Sequence, residues 1–266
     1  WTGSSGATGY DVFRSTDGTS FSRVASNVTG TSYSDTQYLR MAGSGTVSAS
    51  NSSSLQVTGD IDIRVKVSLD NWSSPFATLV DKSPSQYNYG FAVANGRLWF
   101  EWSPDASASY TSQSSETLGF SNGSTHWVRV TRVASTGAVS FYTSVDGVDW
   151  TQLGTTVSGP SGSIYEGPYP LYVGGGFGVY STGDFYEAEV LSGINGTVVA
   201  DPDFSGAPAA SFTDPEGNTW SITGSASLQG GPPLSSGTTY YYEVQAVDSG
   251  GASGYSSTAS AQTNPG

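Results

Sequence analysis

The chain of 266 residues contains no cysteine, a single histidine and only nine lysine and arginine residues. Without cysteine there is no disulfide framework, no thiol nucleophile and no zinc site with cysteine ligands. The lone histidine, His126, has no serine elbow or second histidine to act with, which argues against a Ser-His-Asp triad and a histidine-based metal site. Stability must come from the packing of a core, which a chain of this length can supply.

The 22 acidic residues outnumber the nine basic ones, so the formal net charge is −13. Nucleic acids and anionic lipid surfaces are bound through clustered cations, and neither is therefore expected as a partner. Long apolar runs are also missing. No stretch reaches the roughly 18 apolar residues of a membrane span, which predicts no membrane insertion. The acidity itself favours colloidal solubility and assigns no function.

The composition is that of an exported or surface-exposed all-β protein, with 35 Gly, 16 Tyr and 7 Trp. Strands are predicted where apolar and polar residues alternate, most clearly over 60–69, where Asp62, Arg64 and Lys66 point to water and the apolar residues point inward. No segment has helical periodicity. Further short strands are predicted at 76–80, 89–94, 97–102, 127–131, 139–143, 171–173 and 185–191.

The two ends of the chain are predicted to be halves of one small β-domain, with other material inserted between them. Near the N-terminus, alternating residues flank an Asp17-Gly18 turn, which is typical of a β-hairpin. Near the C-terminus, Tyr240, Tyr242 and Val244 share one face of a strand. Neither half can bury its apolar face alone, so the two halves must meet.

Together the two ends resemble a fibronectin type III domain. Trp1 stands where that family keeps its core tryptophan, and residues 234–240 resemble its Leu-x-x-Gly-Thr-x-Tyr tyrosine corner, in which the phenol hydroxyl bonds back to the chain. The first strand of the family has no counterpart here. We therefore expect a truncated domain from a longer modular protein, with an exposed edge near Trp1. The missing signal peptide then says nothing about export.

The inserted residues resemble a laminin-G-like, concanavalin A-like jelly roll, and the segments that carry this resemblance are 59–67, 95–102, 127–130, 141–147 with 150–153, and 193–204. They are most similar to modules in minor tail proteins of actinobacteriophages and in secreted proteins of actinobacteria. The resemblance implies an extracellular or virion-surface module whose partners are a glycan and the neighbouring domains of a larger protein.

The predicted fold class is therefore all-β, an antiparallel jelly-roll sandwich inserted into a truncated fibronectin type III sandwich. The predicted domains are 1–36 and 230–266 for the fibronectin type III frame and 37–229 for the jelly roll. Because an insert needs neighbouring termini, and the first and last strands of such jelly rolls lie side by side, residues 38–41 should pair near residues 225–228.

The dipeptide Asn95-Gly96 predicts a two-residue type I′ hairpin, since both positions need positive φ. Its register puts Trp99 on the face away from the core, between Arg97 and Glu101. A flat ring beside hydrogen-bonding groups suits the apolar faces and hydroxyls of a sugar. The alternative is that Trp99 packs beneath a loop. Predicted loop aromatics could extend the platform or simply pack, namely Trp72, Tyr87, Tyr165, Tyr169 and Tyr180.

Catalysis is not expected. Glu187 and Glu189 share one strand face about 7 Å apart, which invites comparison with paired glycosidase carboxylates. The concanavalin-fold glycanases carry Glu-x-Asp-x-Glu on such a strand, and the segment 185–190 lacks the middle aspartate and one glutamate. We predict a solvated strand face here and a protein that is not an enzyme.

No cofactor is required by the sequence, but the resemblance leaves a structural calcium ion open, because oxygen-ligand sites are frequent at the loop tips of such jelly rolls. Asp201 with Asp203, or Asp146 with Asp149, could supply ligands. Turn capping would explain the same acids, and the metal ligands stay unassigned.

These observations predict a non-catalytic surface module of a phage tail or secreted bacterial protein that adheres weakly and multivalently to polysaccharide. The alternatives are a structural spacer and an accessory binding module of a polysaccharide-degrading enzyme. An exposed Trp99 in a groove would favour binding, and a buried Trp99 would favour the spacer.

Overall fold

The computed structural model describes residues 1–33, 35–82, 88–176, 178–207, 209–231 and 234–264. Within these ranges the chain is all-β with antiparallel pairing, as predicted, and its helical structure is limited to the 3₁₀ turn Ser53–Leu55. No helix in the described part of the chain has the length and apolar character needed to cross a membrane.

The strands in chain order are as follows. The first eight are β1 (Gly9–Ser15), β2 (Ser22–Val28), β3 (Tyr38–Ala42), β4 (Thr46–Ala49), β5 (Ile61–Leu69), β6 (Ala77–Asp81), β7 (Tyr89–Ala94) and β8 (Arg97–Trp102). The next eight are β9 (Tyr110–Gln113), β10 (Thr125–Arg132), β11 (Ala138–Ser144), β12 (Thr151–Gln152), β13 (Val157–Ser158), β14 (Leu171–Val173), β15 (Gly175–Gly176) and β16 (Val179–Tyr180). The last eight are β17 (Thr182–Ser192), β18 (Thr197–Ala200), β19 (Ser211–Thr213), β20 (Thr219–Thr223), β21 (Ser227–Gln229), β22 (Thr239–Asp248), β23 (Gly251–Tyr255) and β24 (Ala259–Gln262).

The chain divides into two compact units. The outer unit comprises Trp1–Gln37 and Gln229–Gly266, and the inner unit is Tyr38–Leu228. In the outer unit, sheet I has the order β2-β1-β22-β23, with β24 also on β22. The two ends of the chain therefore share one sheet.

The inner unit is a sandwich of two sheets. Sheet II has the order β12-β11-β10-β5-β17-β3-β21, with β13 on β11 and β18 on β17. Sheet III has the order β19-β20-β4-β14-β6-β7-β8-β9. Strands β3 and β21 are neighbours at one edge of sheet II, which is the pairing predicted for the start and end of the insert.

The core of the inner unit lies between sheets II and III and is built by alternation. The apolar residues of β5 at positions 61, 63, 65, 67 and 69 are fully buried, and they face Phe91, Phe100 and Trp220 among others from sheet III. The core also encloses a cation, Arg132, whose guanidinium carbon lies 3.5 Å from the centroid of the Trp102 ring. An aromatic face and the carbonyl of Gly162, at 2.8 Å, compensate part of the cost of burying that charge.

In the outer unit, Tyr240 on β22 makes a predicted contact. The backbone N–H of Ser235 donates to the Tyr240 hydroxyl over 2.8 Å, which is the bond expected of a tyrosine corner. Trp1 packs 5.4 Å from the ring of Tyr10 but is 38% exposed, so it does not occupy a closed core as the resemblance implies. A groove of about 590 Å³ runs beside Trp1, Tyr33 and Tyr242. The fibronectin type III assignment of this unit stays a prediction.

One type of turn recurs at 15–20, 103–108 and 144–149. In each, a serine hydroxyl accepts a bond from the backbone N–H three residues later, and an aspartate caps the N–H groups beyond it. The position after the aspartate has positive φ in all three: Gly18 at 72°, Gly147 at 81° and Ala106 at 63°. An L-residue with a side chain is strained there, by about 1 kcal/mol, so the turn at Ala106 is the least relaxed of the three.

Candidate functional site

The hairpin of β7 and β8 sets the position of Trp99. Asn95 and Gly96 have φ values of 51° and 75°, and the register runs from Ala94 opposite Arg97 to Tyr89 opposite Trp102, with all six pairs as predicted. Residues 98, 100 and 102 therefore enter the core, whereas Arg97, Trp99 and Glu101 lie on the other face of sheet III.

Trp99 is half-buried. Its exposure lies between that of an open sugar-binding platform and that of a ring packed beneath a loop, the two alternatives predicted from the sequence. Ala92 lies opposite it on β7 and Gln113 on β9, while the ring of Phe76 meets it edge-on with centroids 5.1 Å apart. Arg97 donates to the Ser114 carbonyl over 2.7 Å. The sequence reasoning missed Phe76 and Gln113, because their approach depends on how β6 and β9 flank the hairpin.

Glu101 lies on the face of Trp99 but is only 2% exposed. The Ser109 hydroxyl donates to its carboxylate, and burial outweighs this bond, so the pKa of Glu101 is raised. No hydrogen-bond partner for its Oε1 lies among the described residues. The sequence predicted that Glu101 would offer a solvent-exposed hydrogen-bonding group beside Trp99. This prediction is wrong, because the carboxylate of Glu101 is buried.

The other predicted aromatics are dispersed. Trp72 is 1% exposed and its Nε1 donates to the Ser124 carbonyl over 3.0 Å; it belongs to the core and corrects the prediction of a loop platform there. Tyr180 is 38% exposed on β16. Tyr165 and Tyr169 are half-buried. Tyr87 lies outside the described residues.

Two half-buried tyrosines are held by backbone bonds next to sheet III. The N–H of Tyr165 donates to the Ser103 carbonyl over 2.8 Å, directly after β8. The carbonyl of Tyr169 accepts from the Lys82 ammonium over 2.9 Å. Lys82 is fully buried, and burial lowers its pKa to about 8. It also donates to Asn51 over 2.7 Å, so this lysine fixes the loop that carries both tyrosines.

A group of carboxylates forms on the outer side of sheet II. Glu187, Glu189 and Asp201 each offer an oxygen within 4.8 Å of the others. A bulge between Phe185 and Glu187 and a bridge from Glu187 to Asp203 bring the chain after β18 onto β17. Such oxygens are the ligands that hard divalent cations prefer, so this cluster could hold a metal ion.

The electrostatics of this cluster differ from those of a solvated face, which corrects the sequence prediction for Glu187 and Glu189. Burial, with Asp201, Asp203 and Glu189 nearby, raises the pKa of Glu187 to about 7. Burial and the surrounding acids likewise raise the pKa of Asp201 to about 6. Glu189 is compensated by Arg64 at 3.0 Å. Asp146 instead caps its own turn through Val148 and Asp149.

His126 is a packing residue. Its ring stacks on Phe120 with centroids 3.6 Å apart and planes at 7°, and burial lowers its pKa. One ring nitrogen lies 2.9 Å from the Ser124 hydroxyl. Trp127 and Trp150 pack against each other with centroids 6.3 Å apart.

No family model matches the chain, and no curated protein matches it by sequence. The chain does match solved structures. A candidate carbohydrate-binding protein of Bacteroides ovatus aligns with a TM-score of 0.54 at 10% identity, over 75% of this chain and 61% of that chain. The chain thus spans less than two thirds of that protein.

Two further structures align less closely. The CBM40 domain of the Ruminococcus gnavus IT-sialidase, bound to α2,3-sialyllactose, has a TM-score of 0.44 at 10% identity over 59% of this chain and 92% of that one. Domains LG4-5 of the mouse laminin α1 chain have 0.45 at 16% identity over 65% and 44%. At such identities the likeness with the Bacteroides protein shows the fold: an antiparallel jelly-roll sandwich.

Proposed function

We propose that the inner unit is a non-catalytic carbohydrate-binding module. The observation that carries this proposal is Trp99, a half-exposed ring on the outer face of sheet III with the polar groups of Arg97 and Gln113 beside it. Aromatic rings bordered by hydrogen-bonding groups suit sugar rings. The shared fold with the candidate carbohydrate-binding protein of Bacteroides ovatus supports the same function.

The arrangement of the acidic residues on β17 favours a binding role over a catalytic one. Glu187 and Glu189 stand side by side on β17, and Glu189 is already engaged by Arg64. Glycosidases instead place two carboxyls on either side of the scissile bond. His126 is stacked on Phe120 and serves packing.

The wider setting is part of the proposal. In this proposal the outer unit is a fibronectin type III-like domain, and both units belong to a phage tail protein or a secreted bacterial protein. There, several weak copies would together adhere to host or environmental polysaccharide, because linked sites gain avidity without a tight single site. The same module could equally serve a polysaccharide-degrading enzyme as an accessory domain.

A structural calcium ion belongs to the proposal as well, at Glu187, Glu189 and Asp201. A divalent cation there would offset the mutual repulsion of three carboxylates whose oxygens lie within 4.8 Å. It would join β17 to the segment after β18 and so stabilise sheet II. It lies on sheet II and not on the sheet of Trp99, so we assign it to stability.

The test is a polysaccharide and glycan-array screen of the full chain beside Trp99→Ala, with and without calcium. We expect specific binding that falls at least about tenfold in Trp99→Ala, the scale of one lost aromatic contact. Trp1→Ala, which removes a 38% exposed tryptophan from the outer unit, is the matched control and should bind normally.

A structural spacer is the second candidate, and the burial of Trp72 and Glu101 favours it, since both reduce the exposed binding groups. If the folded chain binds no glycan, or if Trp99→Ala binds as well as the unaltered chain, the carbohydrate-binding proposal is wrong and the jelly roll is architecture.

A further inference from the structure

Glu101 is a buried acid without the usual compensation. It is 2% exposed, its Oε1 has no partner among the described residues, and the Ser109 hydroxyl donates to its carboxylate. A buried charge with incomplete hydrogen bonding costs several kcal/mol in general, and a group left in this state calls for an explanation.

Asp62 shows how the same inner unit compensates a buried carboxylate elsewhere. Asp62 is fully buried, and it accepts bonds from Arg129 at 2.8 and 2.7 Å and from the Asn195 N–H at 3.0 Å. In the described part of the chain, no cation forms an ion pair with Glu101. The nearest basic residue on its strand face, Arg97, is engaged by the Ser114 carbonyl. The bonds to Arg129 therefore account for the burial of the Asp62 carboxylate, whereas no comparable contact accounts for the burial of Glu101.

The surroundings of Glu101 on sheet III are polar and acidic. Its neighbour across β7 is Gly90, and beyond Gly90 on β6 lies Asp81, which is also fully buried. Two acids therefore lie in one register row, two strands or about 10 Å apart, with a glycine between them. On β9 the row continues to Thr111.

The cover of Glu101 is a loop whose side-chain hydrogen bonds at 103–108 lie within its own turn. Ser109, its hydrogen-bond partner, is itself exposed, as are most residues of 103–109, and the turn inside this loop holds Ala106 at a φ of 63°. Strained, exposed segments open at low free-energy cost. A sugar hydroxyl arriving at Trp99 could thus take the place of the Ser109 hydroxyl.

We propose, building on the carbohydrate-binding function above, that Glu101 is the acceptor for ligand hydroxyls and makes the module select uncharged glycans over sialylated or uronic ones. Hydroxyl donors would satisfy the carboxylate oxygen that lacks a partner. A ligand carboxylate would be repelled by Glu101, in a chain whose net charge is −13, with no basic side chain paired to Glu101 among the described residues.

The experiment compares the full unaltered chain, Glu101→Gln and Glu116→Gln for binding to dextran, mannan and galactan and to polygalacturonate and polysialic acid. We expect the unaltered chain to bind at least one uncharged polymer about tenfold or more better than either acidic polymer. Glu101→Gln should weaken that binding about tenfold, because a charge-assisted hydrogen bond becomes a neutral one. Glu116 is exposed, and its variant should bind unchanged.

A melting curve of each variant separates a ligand-binding acid from a structural one. Removing a buried, incompletely bonded charge should leave the melting temperature of Glu101→Gln equal to or a few degrees above that of the unaltered chain. A fall would show that Glu101 supports the fold and would overturn the proposal. Glu101→Asp, which keeps the charge but withdraws it by one methylene, should bind weakly.

The outcomes are distinguishable. If Trp99→Ala loses binding but Glu101→Gln does not, or if acidic polymers bind best, the role of Glu101 is wrong while the carbohydrate-binding function stands. If no polymer binds to the folded chain, the carbohydrate-binding function fails, and the role of Glu101 fails with it.

Discussion

Replacing Glu187 with glutamine should stabilise the inner unit at alkaline pH. The pKa of Glu187 is raised from 4.5 to about 7, first by burial and then by Asp201 and Asp203. A raised pKa in the folded state means that the folded chain holds a proton that the unfolded chain has released. Its contribution to stability is therefore fully present below pH 4.5 and is lost as pH rises through 7.

The size of this loss follows from the shift. A rise from 4.5 to about 7 corresponds to roughly 3 kcal/mol. Because the carboxylate keeps part of its contact with water, solvent screening reduces this to about 1 to 2 kcal/mol. For a unit of this size we expect a melting temperature about 2 to 6 °C higher in Glu187→Gln at pH 8, and no difference at pH 4.

The assay is thermal unfolding by calorimetry at pH 4, 6 and 8, with and without calcium. Calcium should raise the melting temperature of the unaltered chain at pH 8 and have less effect on Glu187→Gln, because one ligand is gone. Glu189→Gln is the contrasting variant. Without calcium it should destabilise, since Glu189 binds Arg64 over 3.0 Å, and with calcium it should also respond less, because Glu189 is a proposed ligand. A Glu187→Gln variant no more stable than the unaltered chain at pH 8, or equally stabilised at pH 4, would refute the reasoning.

Two further predictions concern the backbone. Ala106→Gly should raise the free energy of unfolding of the inner unit by up to about 1 kcal/mol, because glycine adopts positive φ without strain; the reverse change, Gly147→Ala, should destabilise, since a Cβ there would lie 2.7 Å from Trp127. Chemical denaturation of both variants measures these changes in the free energy of unfolding. Changes of the same sign in the two variants would contradict the reasoning. Tyr240→Phe should lower the stability of the outer unit by about 1 kcal/mol, because the Ser235 N–H loses its acceptor; unchanged proteolysis of that unit would argue against it.

Local chemistry made much of the fold predictable. The alternation over 61–69 and the φ requirement of Asn95 and Gly96 each act within a few residues, so the core face of β5 and the full register of β7 and β8 follow from the chain itself. The neighbouring positions of β3 and β21 agree with the prediction that the first and last strands of the jelly roll lie side by side.

The candidate site was less predictable, because it depends on contacts between distant segments. Trp72 follows a strand and precedes a turn, which suggests a loop, yet its ring turns inward onto Phe120 at 5.0 Å. The carboxylate cluster needs a bulge before Glu187 and the return of Asp201 after β18. The two acids of Asp201-Pro202-Asp203 indicate a candidate ligand pair in the sequence, but the sequence does not show that this segment lies against β17.

The contact between β3 and β21 has a consequence for the order of folding. Strands β1 and β22 of sheet I are joined through roughly 220 residues of chain when the inner unit is unfolded, but through roughly 35 once β3 and β21 have met. The shorter loop lowers the entropic cost of closing sheet I by about 2 kcal/mol. We therefore expect sheet I to close more readily after the inner unit has folded, because the two halves of the outer unit are then separated by a short loop and not by most of the polypeptide.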